Sequence, residues 1–159
     1  ESIFNILEHS NKEKIKFKNE IVLDLFSGSG SFGIECLSRG IKKVYFFERY
    51  KPSLKVLGKN LEDLKLNKNS VIREIDIYKI SREHINHEKI DLIYLDPPFK
   101  DKNINLLLKR ILDLKIAQKN TLIIIHRNKK FKENFIDNFE ILREKTYGLS
   151  KIIFGRLLF

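Results

Sequence analysis

The sequence predicts an α/β fold: a doubly wound, mostly parallel sheet that ends in an antiparallel hairpin. Short β-rich runs alternate with helical segments along the chain, and most of these runs are apolar throughout. Such runs are typical of strands that helices bury on both faces. The last two β-rich runs follow one another directly, with Gly148 between them, and this order favours a hairpin.

Each element is predicted from a local pattern. Strands are predicted at residues 20–26, 43–48, 70–75, 89–95 and 121–126, and the hairpin strands at 139–147 and 150–159. Helices are predicted at residues 2–9, 30–40, 51–66, 104–114 and 129–136. Gly40 marks the end of the second helix, and Pro52 lies near the start of the third, whose leucines recur at helical spacing.

Length and composition fit one domain, residues 1–159, that acts in the cytoplasm. A chain of 159 residues can bury a core of its own. No run approaches the roughly 20 apolar residues of a membrane span. The single cysteine, Cys36, excludes an internal disulfide, and His84 and His87 have no companions at metal-ligand spacing. We therefore expect a monomer with no membrane segment and no metal.

The charge of the chain is compatible with a nucleic-acid partner. Lys and Arg number 31 against 21 Asp and Glu, a net charge of +10 that suits RNA or DNA. A general enrichment in lysine on solvated faces explains the same charge equally well. Five cations that follow the fourth and fifth strands are placed to neutralise phosphates: Lys100, Lys102, Arg127, Lys129 and Lys130.

A glycine-rich turn, "DLFSGSGSFG" (24–33), joins the first strand to the second helix. Its glycines match G-x-G-x-x-G, and Glu48 follows twenty residues after Gly28, at the end of the second strand. Glycines let the backbone approach a ligand closely, and a carboxylate at that position can accept hydrogen bonds from ribose hydroxyls. The turn therefore predicts a cofactor that contains adenosine.

The identity of residue 24, an aspartate, indicates which of two adenosine-containing cofactors binds, a dinucleotide or S-adenosyl-L-methionine. In dinucleotide enzymes the equivalent strand position is apolar, and the helix N-terminus holds a pyrophosphate. A buried carboxylate requires a partner and suits a cationic ligand instead. Asp24 therefore favours S-adenosyl-L-methionine, with its sulfonium and ammonium groups, and indicates a methyltransferase. Asp76, after the third strand, is placed to accept a hydrogen bond from the adenine amino group.

The segment "YLDPPFK" (94–100) predicts a rigid corner after the fourth strand, because two consecutive prolines cannot continue it. Asp96 and the Pro97 carbonyl can accept the two N–H bonds of an exocyclic amine and turn its lone pair towards a methyl donor. Phe99 offers a face on which a base can stack. His126 ends the fifth strand nearby and is interpreted as a packed or capping residue, without a role in proton transfer.

The sequence resembles the RsmD family of bacterial methyltransferases over essentially its whole length. The likeness rests on the leader "ESIFNIL", on "VLDLFSGSGSFGIECLSRG", on "LDPPF" and on "YG" before the closing "IIF". It implies a class I methyltransferase (Rossmann-like) fold with a seven-stranded sheet and transfer to N2 of a guanine in 16S rRNA, guanine 966. It also implies that 16S rRNA or the small ribosomal subunit is the partner, and that Phe4 and Asn5 cover the cofactor.

The resemblance and the motifs together predict the residues of the site. The catalytic set is Asp96, Pro97, Pro98 and Phe99. The cofactor-binding set is Asp24, Phe26, Ser27, Gly28, Ser29, Gly30, Glu48, Arg49, Asp76 and Ile77. In that family a basic arm that helps to hold RNA precedes the leader. No such arm precedes it here, so we expect a missing N-terminal segment.

Two alternatives remain open. The Asp-Pro-Pro-Phe corner is shared with DNA adenine-N6 methyltransferases, although the chain has no room for a separate target-recognition domain. A degenerate RNA-binding module that has lost catalysis is the second alternative. The acidic residues Asp24, Glu48 and Asp96 argue against it, since all three are intact.

Overall fold

A computed structural model describes residues 2–10, 13 and 17–159 as a seven-stranded sheet flanked by helices. The strands are β1 (Ile21–Leu25), β2 (Lys43–Phe47), β3 (Ser70–Arg73), β4 (Leu92–Leu95), β5 (Leu122–Asn128), β6 (Phe139–Tyr147) and β7 (Ser150–Leu157). The helices are α1 (Ser2–His9), α2 (Ser31–Ser38), α3 (Lys51–Asp63) and α4 (Ile104–Asp113). In the described part of the chain, no helix is long and apolar enough to cross a membrane.

The strand order is β3-β2-β1-β4-β5-β7-β6. Strands β1 to β5 are parallel, and β7 runs antiparallel to both β5 and β6. The predicted fold class is therefore confirmed, including the C-terminal hairpin with Gly148 in its turn at φ 53°. The order reverses between β1 and β4, and ligands of such sheets bind beyond the carboxyl ends of the strands at this switch point.

The sheet is buried on both faces, as its apolar strands predict. Every residue of β1 and β4 is buried. One core cluster includes Leu23, Phe47 and Ile93, and the other includes Val22, Phe46 and Leu92, so alternate residues of the same strands face opposite layers. This packing fixes the positions of the carboxyl ends of β1, β2, β4 and β5, which form the edge of the sheet where the site lies.

The predicted helix at residues 129–136 is wrong, because this segment is an irregular loop. Side chains from other elements bind its backbone. The Asn105 amide accepts from the Ile136 N–H at 3.1 Å and donates to the Asn134 carbonyl at 2.6 Å. Lys151 Nζ donates to the Phe131 carbonyl at 2.8 Å. These contacts replace the i→i−4 bonds of a helix, so tertiary structure overrides local propensity.

Smaller differences between the predicted and the observed elements occur in the middle of the chain. The third strand ends at Arg73 rather than at residue 75, and 3₁₀ turns that the sequence did not predict follow at Ile77–Lys79 and Arg82–Ile85. Asp76 caps the first of these turns by accepting from the Tyr78 N–H at 3.0 Å. A residue expected in a loop is therefore held in a defined position beside the end of β3.

Candidate active site

The glycine-rich turn between β1 and α2 has an unusual backbone. Phe26, Gly28 and Gly30 all have positive φ, at 65°, 56° and 91°. A Cβ on Gly30 would collide with the Leu57 side chain of α3, so this position requires glycine for two reasons. Phe26 adopts a left-handed conformation at a cost of the order of 1–3 kcal/mol. Such strain is typical of functional turns.

Glu48, just after β2, is held by the backbone around it. One carboxylate oxygen accepts from the Gly28 N–H at 2.7 Å, and the other accepts from the N–H groups of Arg49 at 3.0 Å and Tyr50 at 2.9 Å. A carboxylate has about four acceptor positions, so one remains for a ligand hydroxyl. The acceptor is thus oriented before any ligand binds.

Asp24 is a buried carboxyl group in the middle of the apolar strand β1. Burial raises its pKa to about 8; the N–H of Gly33, which donates to it at 3.1 Å, opposes this shift, and the charges of Asp96 and Glu48 add to it. The group is therefore largely neutral at pH 7 in the free protein. A ligand cation would stabilise the ionised form, which fits the sulfonium and ammonium of the predicted cofactor.

Three cavities lie side by side along the carboxyl edge of the sheet. We name them the Glu48 cavity (about 490 Å³), the glycine-turn cavity (about 260 Å³) and the Phe99 cavity (about 200 Å³). Phe26 lines the first two, and Asp96 lines the second and third. Phe26 therefore lies between the Glu48 cavity and the glycine-turn cavity, and Asp96 lies between the glycine-turn cavity and the Phe99 cavity. A ligand in the glycine-turn cavity would face both of the other cavities.

The predicted cofactor residues are divided between the first two cavities. The Glu48 cavity is lined by Phe26, Glu48, Arg49, Asp76 and Ile77, and the glycine-turn cavity by Asp24, Phe26, Ser27, Gly28 and Ser29. Gly30 lines neither cavity and is buried at the start of α2. The Glu48 cavity has the size of a small-molecule site, with apolar walls and a few carboxylates. The residues present therefore fit S-adenosylmethionine, and the side chains of these two cavities would hold it.

Sequence reasoning missed several residues that line the same space. Tyr78 and Asp101 line the Glu48 cavity, and the Tyr78 hydroxyl donates to Asp101 at 2.6 Å. Phe32 and Tyr94 line the glycine-turn cavity and stack with ring centroids 3.8 Å apart. Phe4 also stacks on Phe32, with ring centroids 5.3 Å apart. Neither Phe4 nor Asn5 lines these two cavities, and their expected role as a cover over the cofactor stays a prediction.

The Asp-Pro-Pro-Phe corner follows β4 and presents one side to each neighbouring cavity. Pro98 lines the Glu48 cavity, whereas Pro97 and Phe99 line the Phe99 cavity. The Asp101 N–H donates to the Pro98 carbonyl at 2.8 Å and closes the corner. Among the hydrogen bonds of the described residues, none uses the Pro97 carbonyl. Phe99 is 58% exposed and meets the edge of Phe131 at a centroid distance of 5.0 Å.

His126 lies beside Asp96, with its Nδ1 atom 3.1 Å from Asp96 Oδ1. The hydrogen bond to Asp96 raises the pKa of His126, and partial burial opposes this shift. The sequence contains a signal for this contact. Strands β4 and β5 pair in parallel with Leu95 opposite Ile125, so the next residues, Asp96 and His126, must be neighbours. The interpretation of His126 as a packed or capping residue did not include this pair.

The expected role of Arg127 as a phosphate contact is wrong. The side chain is buried at 6% exposure, forms an ion pair with Glu133 and donates to the Asp101 carbonyl at 2.7 Å. The guanidinium therefore supports the loop under Phe131, over whose ring it lies at 5.6 Å. The other four predicted cations, Lys100, Lys102, Lys129 and Lys130, are exposed.

The strand order, the glycine turn, Asp24 within β1 and Glu48 after β2 define a class I, S-adenosylmethionine-dependent methyltransferase. Comparison with known proteins gives the family. The family model described as "Conserved hypothetical protein 95" matches residues 1–156, and the chain belongs to this family, the RsmD methyltransferases.

Individual relatives agree with this assignment. The chain is 33% identical over 129 residues to the "Ribosomal RNA small subunit methyltransferase D" of Haemophilus influenzae; the aligned part spans 80% of the chain and 66% of that relative. A conserved hypothetical protein of Streptococcus pyogenes has a TM-score of 0.81 at 23% identity, covering 98% of this chain and 93% of that one. An RNA methyltransferase of Salinibacter ruber, solved with S-adenosyl-L-homocysteine, has a TM-score of 0.72 at 12% identity, covering 99% and 90%. The two structures support the fold.

Proposed function

We propose that this chain methylates N2 of a guanine in 16S rRNA, at position 966, with S-adenosylmethionine as the methyl donor. One observation carries the proposal. Asp96 lies on the wall shared by the glycine-turn cavity and the Phe99 cavity, between the predicted donor site and an exposed aromatic face. The name of the Haemophilus influenzae relative supports a small-subunit rRNA substrate. Such a substrate would place the enzyme in the cytoplasm.

The cofactor half of the site binds and orients the donor. Glu48 accepts from the ribose, and Asp76 is placed to accept from the adenine amino group. Asp24 faces the positively charged end in the glycine-turn cavity, where burial strengthens the attraction between opposite charges. S-adenosylmethionine, when bound, supplies a methyl group on a positively charged sulfur. These contacts hold the donor against Asp96 and the Phe99 cavity.

The base half of the site orients the amine that is methylated. The amine lone pair is delocalised into the guanine ring, so N2 is a weak nucleophile until its N–H bonds are turned. Asp96 and the Pro97 carbonyl accept these two N–H bonds and direct the lone pair towards the glycine-turn cavity. Phe99 stacks on the base, a contact worth about 1–3 kcal/mol. No covalent intermediate is needed for this positioning mechanism.

The surface around the Phe99 cavity suits an RNA backbone. Lys100 and Lys102 follow the corner, and Lys129 and Lys130 follow β5, all with exposed side chains. Phosphate contacts by such lysines supply affinity that falls with salt, independent of the base that is methylated. The base must leave its stack to reach Asp96, as in other enzymes that modify a nucleobase.

A decisive experiment compares rRNA from cells with and without the gene. Mass spectrometry of nucleosides from 16S rRNA should show N2-methylguanosine only when the gene is present, and expression of the Asp96→Ala variant should not restore it. Unchanged N2-methylguanosine together with loss of N6-methyladenine from DNA would instead support the adenine methyltransferase, which shares the Asp-Pro-Pro-Phe corner. Purified protein with naked 16S rRNA or with 30S subunits then identifies the form of the substrate.

A further inference from the structure

We propose that His126 is a positioning residue that holds the Asp96 carboxylate in the orientation needed to accept the substrate amine. The inference rests on the proposed function, because it assigns a further residue to the same site. His126 does not touch the substrate in this proposal. It acts through Asp96, with its imidazole N–H bound to one carboxylate oxygen while the other oxygen stays free for the amine.

Backbone pairing enforces the contact. The parallel register of β4 and β5 brings residues 96 and 126 side by side at the strand ends, where the Nδ1–Oδ1 distance is 3.1 Å. Both side chains line the Phe99 cavity, with exposures of 31% for His126 and 46% for Asp96. The pair is therefore part of the cavity wall and is partly shielded from water.

No other charged group competes for this histidine in the cavity. Of the described residues that line the Phe99 cavity, only Asp96 and Arg127 carry full charges. Arg127 is already paired with Glu133 and the Asp101 carbonyl. The neighbouring hairpin contributes Leu149 and Ser150, and β7 places Ile152 opposite His126. Asp96 is thus the acceptor available to the His126 Nδ1–H.

The chemistry of the step explains why a fixed carboxylate helps. As the N2–methyl bond forms, the carbon–sulfur bond breaks, its electron pair stays on sulfur, and the nitrogen must lose one proton. The free oxygen, Oδ2, of Asp96 can accept that proton and release it later to water. A carboxylate that rotates freely presents this oxygen in the right direction for only part of the time, and misplacement of about 1 Å can cost a hundredfold in rate.

Two substitutions separate positioning from packing. His126→Ala removes the donor and should lower kcat about tenfold to a hundredfold, while the affinity for S-adenosylmethionine, measured by calorimetry, stays within twofold. His126→Asn places an amide N–H where Nδ1 stood and should recover most of the loss. His87→Asn is the matched control, because His87 is exposed and lies outside the cavities; it should leave kcat unchanged. Wild-type kcat in His126→Ala, or no recovery in a folded His126→Asn protein, would overturn the inference.

A titration by NMR tests the pair without any substrate. The pKa of the His126 imidazole should lie above its ordinary range in the wild-type protein and fall in Asp96→Asn, since the hydrogen bond to the Asp96 carboxylate, and then its charge, raise this pKa. The same His126 pKa in both proteins would overturn the pairing, even if the enzyme methylates RNA normally. A normal shift in a protein that methylates no RNA would instead overturn the proposed function, and with it the role of His126.

Discussion

The cofactor half and the base half of the site, which lie along the carboxyl edge of the sheet, differ in the contacts that hold their residues in place. In the cofactor half, around β1 and β2, backbone N–H groups bind the acidic side chains: Gly33 to Asp24, and Gly28, Arg49 and Tyr50 to Glu48. In the base half, around β4 and β5, side chains from separate elements hold one another. The cofactor half is built by the strands and the turns that follow them, whereas the base half depends on how several loops pack.

The difference has a functional consequence. A site built on backbone contacts is ready for its ligand, so substitutions there should alter mainly the affinity for the cofactor. A site built on side-chain contacts can lose its alignment when one partner changes, so substitutions there should alter turnover or the stability of the loop. Substitutions in each half can show whether the two halves respond separately.

The largest effect on turnover is expected from Asp96→Ala in the base half. Loss of one oriented acceptor should lower kcat for RNA methylation about 10²–10³-fold, the usual cost of removing one preorganised polar group. The affinity for S-adenosylmethionine should stay within a few-fold, because Glu48, Asp76 and the glycine turn are unchanged. Single-turnover methylation and calorimetry measure the two quantities, with Asp113→Ala, an exposed residue at the end of α4, as the control. Equal losses in both would mean that the halves are not separate.

The second effect concerns the ion pair under the base half. Arg127→Met leaves Glu133 buried without a partner and should lower the free energy of unfolding by about 3–5 kcal/mol, the cost of breaking a buried pair. The double variant Arg127→Met, Glu133→Leu should recover much of this loss, because both charges are then absent. Urea unfolding measures each protein. A single variant as stable as the wild type would show that the pair does not support the loop.

The third effect should appear in the cofactor half alone. Glu48→Ala removes the acceptor for three backbone N–H groups and, under the proposed function, for the ribose. It should weaken S-adenosylmethionine binding about tenfold to a hundredfold, in line with about 1.5–3 kcal/mol for a charged hydrogen bond. Glu62→Ala, on the exposed side of α3, is the matched control. At saturating cofactor, kcat should stay close to wild type. Unchanged affinity would remove Glu48 from the cofactor site.

The same contrast explains which parts were predictable from the sequence. The strands and the glycine turn follow from local patterns, because β-branched residues favour an extended backbone and glycines permit the positive φ that the turn adopts. The loop at 129–136 has a helical pattern, but contacts from Asn105 and Lys151 determine its structure. Arg127 has the sequence signature of a surface cation, and only the position of Glu133 explains its burial. Long-range side-chain pairs leave no local pattern.

The smallest effect on cofactor binding comes from a pH dependence that should belong to the cofactor half, and the stability of the free protein should depend on pH as well. The pKa of Asp24 is raised to about 8 by burial, above its unfolded value, so the neutral form stabilises the free protein. That stability is complete below about pH 4 and is lost as the pH rises through about 8. In thermal unfolding, the free wild-type protein should therefore lose Tm between pH 5 and 8 relative to Asp24→Asn, which keeps an acceptor for the Gly33 N–H.

Cofactor binding should show the opposite trend, because a cationic ligand favours ionised Asp24. With a pKa of about 8, the ionised fraction of Asp24 grows between pH 7 and pH 8.5, so the affinity for S-adenosylmethionine should rise over this interval. The amino group of the ligand also titrates in this range and works in the other direction, which makes Asp24→Asn the necessary control. The pH dependence assigned to Asp24 is the difference between the two proteins. An identical pH profile for both would show that Asp24 stays in one protonation state on binding, and that its burial serves the strand rather than the ligand.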